Sequence, residues 1–244
     1  MRVEERDLLS RKLSAFIALN DSDLAVLERL HQKRRSFPAG RHLIHEGQTQ
    51  PAAYVLAAGW VCSYKLHPDG GRQIIGFELP GDFIGLRSIL MHSSDCSFES
   101  ISDTMAVEVP MQFLVEAFAK TPRLATSLLW AASRDETMLV ERIVRLGRGD
   151  AQKRMAHFLL QLGARLTLVG LGNATGYACP LTQYHLADAL GLSPVHVNRV
   201  LRSLREAGLV SFREGHVKFM DHAGLVKLAD FDPAWLDQTR PMAA

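Results

Sequence analysis

The sequence lacks most of what would commit it to catalysis or to a membrane. It has only three cysteines, Cys62, Cys96 and Cys179, odd in number, widely spaced and without a CxxC pair. That pattern argues against a disulfide framework and against a cysteine-built zinc or iron–sulfur site, and the thiols are expected to be reduced. No apolar run approaches the roughly 18 residues of a membrane-spanning helix. The opening stretch, "MRVEERDLLSRKLSAFIALN", is charged from its second residue and has no apolar core leading to a small-residue cleavage site. No signal peptide is therefore expected, and the cytoplasm is the default location. There is no nucleophile elbow, no phosphate-cradling glycine loop before a helix and no repeated acidic pair, so no catalysis is expected. The net charge of +2 is too small to disclose a nucleic-acid partner without a local patch. What the chain does have is bulk: 244 residues, 47% hydrophobic and 22% charged, enough to build a core in one large domain or two smaller ones.

Three textures follow one another. Residues 40–110 alternate turn signals with short β-type runs, "AYVLAAG", "WVCSYKL" and "RQIIGFEL", and predict an all-β roll. A helix leads into it through "NDSDLAVLERLHQKRRSF", with Ser22 as the expected N-cap. From Pro122 the period lengthens. Ala125, Leu129, Ala132, Glu136, Leu139, Ile143 and Leu146 are spaced alternately by four and three, a narrow seam along a helix of about seven turns. So narrow a seam suits pairing with a second copy better than packing on the chain's own roll. Gly147 and Gly149 in "LGRGD" stop that helix, and Asp150 can cap the next, "AQKRMAHFLLQLGARL". A glycine-rich loop, "VGLGNATGYACP", then leads to the third texture.

In "LTQYHLADALGLSPVHVNRVLRSLREAGL", Thr182 caps a short helix that ends at Gly191, and Ser193 with Pro194 starts a second one. Two helices joined by so short a glycine turn predict a helix-turn-helix. At 100° per residue, Val197, Val200, Leu201 and Leu204 form the buried face. Val195, Arg199 and Arg202 then point outward, flanked by His196, Asn198 and Ser203. An exposed face that begins in the first turn is what a recognition helix presents to base edges, and arginine can hold guanine O6 and N7 with two hydrogen bonds. The alternating "LVSFREGHVKFMD" predicts a hairpin wing about Glu214-Gly215, with Arg213, His216 and Lys218 placed for phosphates.

On these residues, and on "GDFIG" at Gly81 to Gly85, the chain as a whole resembles transcription regulators of the Crp/Fnr family. The resemblance implies an α+β protein: an N-terminal β-roll resembling a cyclic-nucleotide-binding domain, with its leading helix (residues 1–121), a dimerisation helix and hinge (122–149), and a winged helix-turn-helix that binds DNA (150–244). It implies a homodimer on a palindromic site in double-stranded DNA, with RNA polymerase as a further partner if the protein activates. Where the family usually has a glutamate four residues before the recognition arginine, this chain has Val195, which can pack on a thymine methyl but cannot accept from cytosine N4. An effector pocket would lie at Gly85, Leu86, Arg87, Cys96 and Ser97. Cyclic-nucleotide-binding members have a ribose-holding glutamate and a phosphate-holding arginine where Leu86 and Cys96 stand, so dependence on cyclic AMP is not expected, with Arg87 the one nearby cation that could substitute. Cys96 also raises a thiol-based response as an option. No cofactor is expected; among ten histidines no spacing singles out a haem ligand.

Two competing readings follow from the same residues. A roll with "RHLIHEG" invites comparison with cupin-like metalloenzymes, but His42 and His45 are three apart, which on a strand sends them to opposite faces. The other reading is a DNA-binding repressor that takes no ligand.

Overall fold

The computed structural model describes residues 8–232; the outer ends of the first and last domains expected from sequence, residues 1–7 and 233–244, lie outside the described residues. The described chain divides into two compact units, residues 8–70 with 75–133, and residues 71–74 with 134–232. The class is α+β.

The first unit starts with α1 (Leu8–Ser14) and α2 (Asp21–Glu28), which a 3₁₀ turn (Arg29–Gln32) extends. Asn20, not Ser22, caps α2: its side chain accepts from the Asp23 N–H while Asp23 accepts from the Asn20 N–H, and Ser22 donates to Asn20 Oδ1 at 2.6 Å. Eight strands follow: β1 (Arg34–Phe37), β2 (His42–Ile44), β3 (Ala53–Ala58), β4 (Val61–Leu66), β5 (Arg72–Glu78), β6 (Phe83–Ile84), β7 (Ser97–Ser100) and β8 (Thr104–Val109), with α3 (Leu86–Met91) between β6 and β7. They form two antiparallel sheets, ordered β1-β8-β3-β6 and β2-β7-β4-β5. One cluster, built from Ile44, Leu56, Ile84, Cys96 and Phe98, draws residues from both sheets. A second packs α1, α2, α4 (Met111–Lys120) and the start of α5 (Pro122–Arg148) against β3 and β8. Lys12 of α1 is 1% exposed, and its Nζ donates to Asp82 Oδ1 at 2.6 Å, while Asp82 Oδ2 accepts from the Leu79 N–H at 2.8 Å. A buried ammonium survives only with such a partner.

In the second unit, Asp150 caps α6 (Ala151–Leu168) by accepting from the Lys153 N–H at 2.9 Å. The helix-turn-helix is α7 (Gln183–Leu190) and α8 (Pro194–Glu206), and α9 (His222–Ala229) closes the unit. The wing β11 (Val210–Arg213) and β12 (His216–Phe219) belongs to a larger sheet, ordered β11-β12-β10-β9. Its other two strands, β9 (Gly172–Asn173) and β10 (Gly176–Ala178), arise from the segment expected to be a glycine-rich loop. Sequence alternation fails there because the strands are two and three residues long, too short for a period.

Candidate nucleic-acid interface

Local chemistry fixes the geometry of the two-helix motif. Thr182 accepts from the His185 N–H, and the His185 ring accepts from the Thr182 N–H at 3.1 Å, a reciprocal cap. Gly191 ends α7 in the left-handed region (φ 62°), which a side chain would disfavour. Ser193 Oγ accepts from the His196 N–H at 3.2 Å, with Pro194 in the first helical position. The cap uses a lone pair of Ser193 and leaves its hydroxyl proton to donate.

On α8, Val197, Val200 and Leu204 are buried, and Leu201, expected among them, is half-buried at the edge of that face. Val195 is 79% exposed, and Asn198, Arg199 and Arg202 are exposed with it. Among the described residues, neither Arg199 nor Arg202 makes a salt bridge, so both guanidiniums keep their full donor sets. His196 and Ser203 are half-buried. Ser203 Oγ accepts from Gln152 Nε2 at 2.7 Å, an anchor to the first turn of α6.

Asn198 is not free. Its Nδ2 donates to Gln183 Oε1, from the first residue of α7. Sequence reasoning missed Gln183 because a helical wheel compares residues of one helix, whereas this pair spans 15 positions and two helices. On the wing, the register pairs Arg213 with His216 and Ser211 with Lys218, which sets these four on one face and the buried Val217 and Phe219 alternately. Glu214 and Gly215 turn the hairpin with φ 50° and 71°. His216 Nδ1 donates to the Glu214 carbonyl at 3.0 Å, so the neutral ring offers only an acceptor at Nε2. Arg213 and Lys218 are the exposed cations at this end.

The residues expected to line an effector pocket lie at the start of α3 and the start of β7. Gly85 starts α3 with φ 68°, and Leu86 is half-buried in its first turn. Arg87 is exposed, and its Nη2 donates to both carboxylate oxygens of Asp95, at 2.7 and 2.8 Å. Cys96 is 2% exposed in the core, where burial first, and then the Asp95 and Glu78 carboxylates, push its thiol up to about 12. A thiol so seldom ionised and so enclosed weighs against the option of a thiol-based response. Ser97 Oγ accepts from the Glu46 N–H at 3.0 Å.

The two histidines of "RHLIHEG" also differ from expectation. β2 ends at Ile44, so strand parity does not govern His45, and the two rings stack with centroids 4.5 Å apart. His42 Nε2 lies 2.7 Å from the Tyr64 hydroxyl. Among the described residues no cluster of three or more His, Cys, Asp or Glu side chains is arranged to hold a metal.

Along α5 the expected seam is only partly open. Ala125 is 6% exposed, covered by its own chain, and Leu139 and Leu146 are half-buried. The open positions are Leu129 (62%), Ala132, Glu136 and Ile143 (69%), joined by Val140 and Val144, which the heptad count passed over.

Residues 34–121 match the model of the cyclic nucleotide-binding domain, and residues 153–228 that of the Crp-like helix-turn-helix domain. The chain is 29% identical to the nitrogen fixation regulation protein FixK of Bradyrhizobium diazoefficiens, over 91% of this chain and 92% of that one. It is 25% identical to the fumarate and nitrate reduction regulatory protein of Vibrio cholerae, over 86% and 84%. Among solved structures, FixK2 from Bradyrhizobium japonicum superposes with a TM-score of 0.72 at 29% identity, covering 80% of this chain and 96% of that one. These relatives are regulators, not enzymes.

Proposed function

Since the chain belongs to the Crp/Fnr family of transcription regulators, we propose that it works in the cytoplasm as a homodimer that reads a palindromic operator without cyclic AMP. One observation carries the reading: the outer face of α8, where Val195, Asn198, Arg199 and Arg202 are exposed from the first turn onward. Arg199 is assigned to guanine O6 and N7, and Val195 to a thymine methyl. Asn198 gives one amide hydrogen to Gln183; its remaining N–H and its Oδ1 are the donor and acceptor that adenine N7 and N6 require. Arg213 and Lys218 on the wing, and the Ser193 hydroxyl at the cap, are assigned to phosphates, which add affinity without sequence information.

Pairing is assigned to the open stripe of α5. At 100° per residue, Leu129, Ala132, Glu136, Val140, Ile143 and Val144 fall within an arc of about 120°. Four large apolar side chains, each at least half exposed, have a cost in water that a second copy removes. Two subunits related by a two-fold axis place their α8 helices in successive major grooves, with half-sites about one helical turn apart. Independence from cyclic AMP is supported by Arg87 being held by Asp95 and by Cys96 lying in the core. The same two facts favour a second reading, a DNA binder whose roll takes no ligand. RNA polymerase is a partner only where the protein activates.

Selection of preferred duplexes from a random pool, beside light scattering of the purified protein, tests the reading. The expected result is a dimer that enriches an inverted repeat with guanine and adenine in each half-site. A monomer with no enriched sequence overturns it. Titrating candidate metabolites on the enriched duplex separates the two readings, because an effector acts only through different affinity for two states.

A further inference from the structure

The bond between the two helices of the motif has a direction, and the direction carries information. Asn198 Nδ2, on the exposed face of α8, donates to Gln183 Oε1, on the first residue of α7. Among the described residues neither amide has another hydrogen-bond partner, so Gln183 Nε2 keeps both of its hydrogens. An asparagine amide has two orientations, half a turn apart, that exchange its donor and its acceptor. With its nitrogen toward α7, Asn198 offers outward one N–H and Oδ1, which match N7 and N6 of adenine. With its oxygen toward α7 it would offer N–H groups alone, which match the acceptors N7 and O6 of guanine. Nothing on α8 bonds to the amide, so the choice falls to Gln183, and a hydrogen bond of ordinary net strength biases it about twofold to tenfold.

The bond is not what seats the helix. Val197, Val200 and Leu204 bury the inner face of α8, and Ser203 Oγ accepts from Gln152 Nε2 at 2.7 Å toward its far end. Gln183 is itself held, half-buried in a first turn whose start the reciprocal cap of Thr182 and His185 fixes. Where α8 reads DNA as proposed, we infer that Gln183 is a positioning residue for base specificity: the polarity of its amide sets which edge Asn198 offers to the base, without Gln183 touching a base. A DNA phosphate only accepts, so a phosphate that takes the free N–H groups of Gln183 fixes Oε1 on Asn198. Backbone contact then sharpens the reading of one base.

The test is a ratio, measured with the full-length protein and the duplex the wild type selects. The Asn198 position is the base pair at which Asn198→Ala loses preference. The readout is affinity for adenine over guanine at that pair, by competition at fixed salt. The wild type is expected to favour adenine about tenfold. Gln183→Glu, which can only accept, keeps that ratio, whereas Gln183→Lys, which can only donate, turns the Asn198 amide over and brings the ratio to about one or below. The added charges act on both duplexes alike and cancel in the ratio. Gln152→Leu, which cuts the other tie to α8, leaves the ratio as in the wild type. Should melting show that Gln183→Lys does not fold, Gln183→Leu takes its place, with the ratio lowered about threefold. A wild-type ratio in Gln183→Lys or its replacement, or an equal fall in Gln183→Glu or in Gln152→Leu, overturns the inference and leaves Gln183 a packing residue. If Asn198→Ala alters no base preference, the assignment of Asn198 to adenine fails instead, and Gln183 has nothing to position.

Discussion

Two sets of residues were expected to meet a ligand, and they lie in opposite environments. On α8, the side chains assigned to DNA stand in solvent with their hydrogen-bonding groups open, or, for Asn198, trimmed to one defined donor–acceptor pair. In the roll, the side chains assigned to an effector are buried or already paired: Cys96 in the core, Ser97 on a backbone N–H, Arg87 on Asp95. The difference shows what a family resemblance transfers. It carried the two-helix motif with the exposure that the proposed chemistry requires, because there the assigned groups and the frame are the same short segment. In the roll it carried the frame, and the residues at the expected pocket positions are engaged within the chain.

Substitutions should separate the two environments: changes to exposed residues alter assembly or specificity, and changes to buried ones alter stability. The largest effect is expected from Val140→Asp with Ile143→Asp, which sets two carboxylates in the proposed pairing stripe. Dimer dissociation should rise about a thousandfold, ~4 kcal/mol, read by sedimentation, with the monomer's melting temperature nearly unchanged. A normal dimer would remove the stripe from the exposed set. The next effect comes from acid. The His157 imidazole takes a proton near 6.5 in the unfolded chain but only at about 4 in the folded one, so the folded state has its full advantage above the higher value. That advantage is lost as pH falls from 6.5 toward 4, by up to about 3 kcal/mol. Denaturant unfolding at a series of pH values should show this slope, and His157→Gln should flatten it.

Arg199→Ala is expected to cost about 1 to 3 kcal/mol at one base pair, with unfolding unaltered, measured by competition between the selected duplex and single-base variants. If specific and random DNA are bound as by the wild type, Arg199 is not a reading residue. Cys96→Ala should cost stability, about 1 kcal/mol, and leave DNA binding as insensitive to peroxide as in the parent. Peroxide sensitivity that vanishes with Cys96 would move the roll into the responsive set. The smallest effect is Lys218→Ala, under about 1 kcal/mol on all sequences alike, lowering the salt slope by about one.

Much of the fold is legible in the chain's own order of residues. The caps at Asp150, Thr182 and Ser193, the stop at Gly191 and the turn at Glu214-Gly215 depend on side chains and φ angles within four residues of one another, and the three β-type runs and the long helix follow from periods of 2 and 3.6. The outer face of α8 follows from the same period. Where the window was too short, as at β9 and β10, or two caps competed, as at Asn20 and Ser22, local reasoning chose wrongly.

The sequence by itself therefore determined the order of the elements, the class of fold and which residues of the recognition helix face outward, because each of these is decided within a few turns of chain. Tertiary structure alone decided that Gln183 orients Asn198, that Lys12 is neutralised by Asp82 across 70 positions, that Ala125 is covered while Val140 is bare, and that Arg145 and Arg154 hold the ends of α9 and α7. Those outcomes depend on which surfaces meet, and the energy of a hydrogen bond or a buried charge is set by the partner packing supplies, not by the residue's place in the chain.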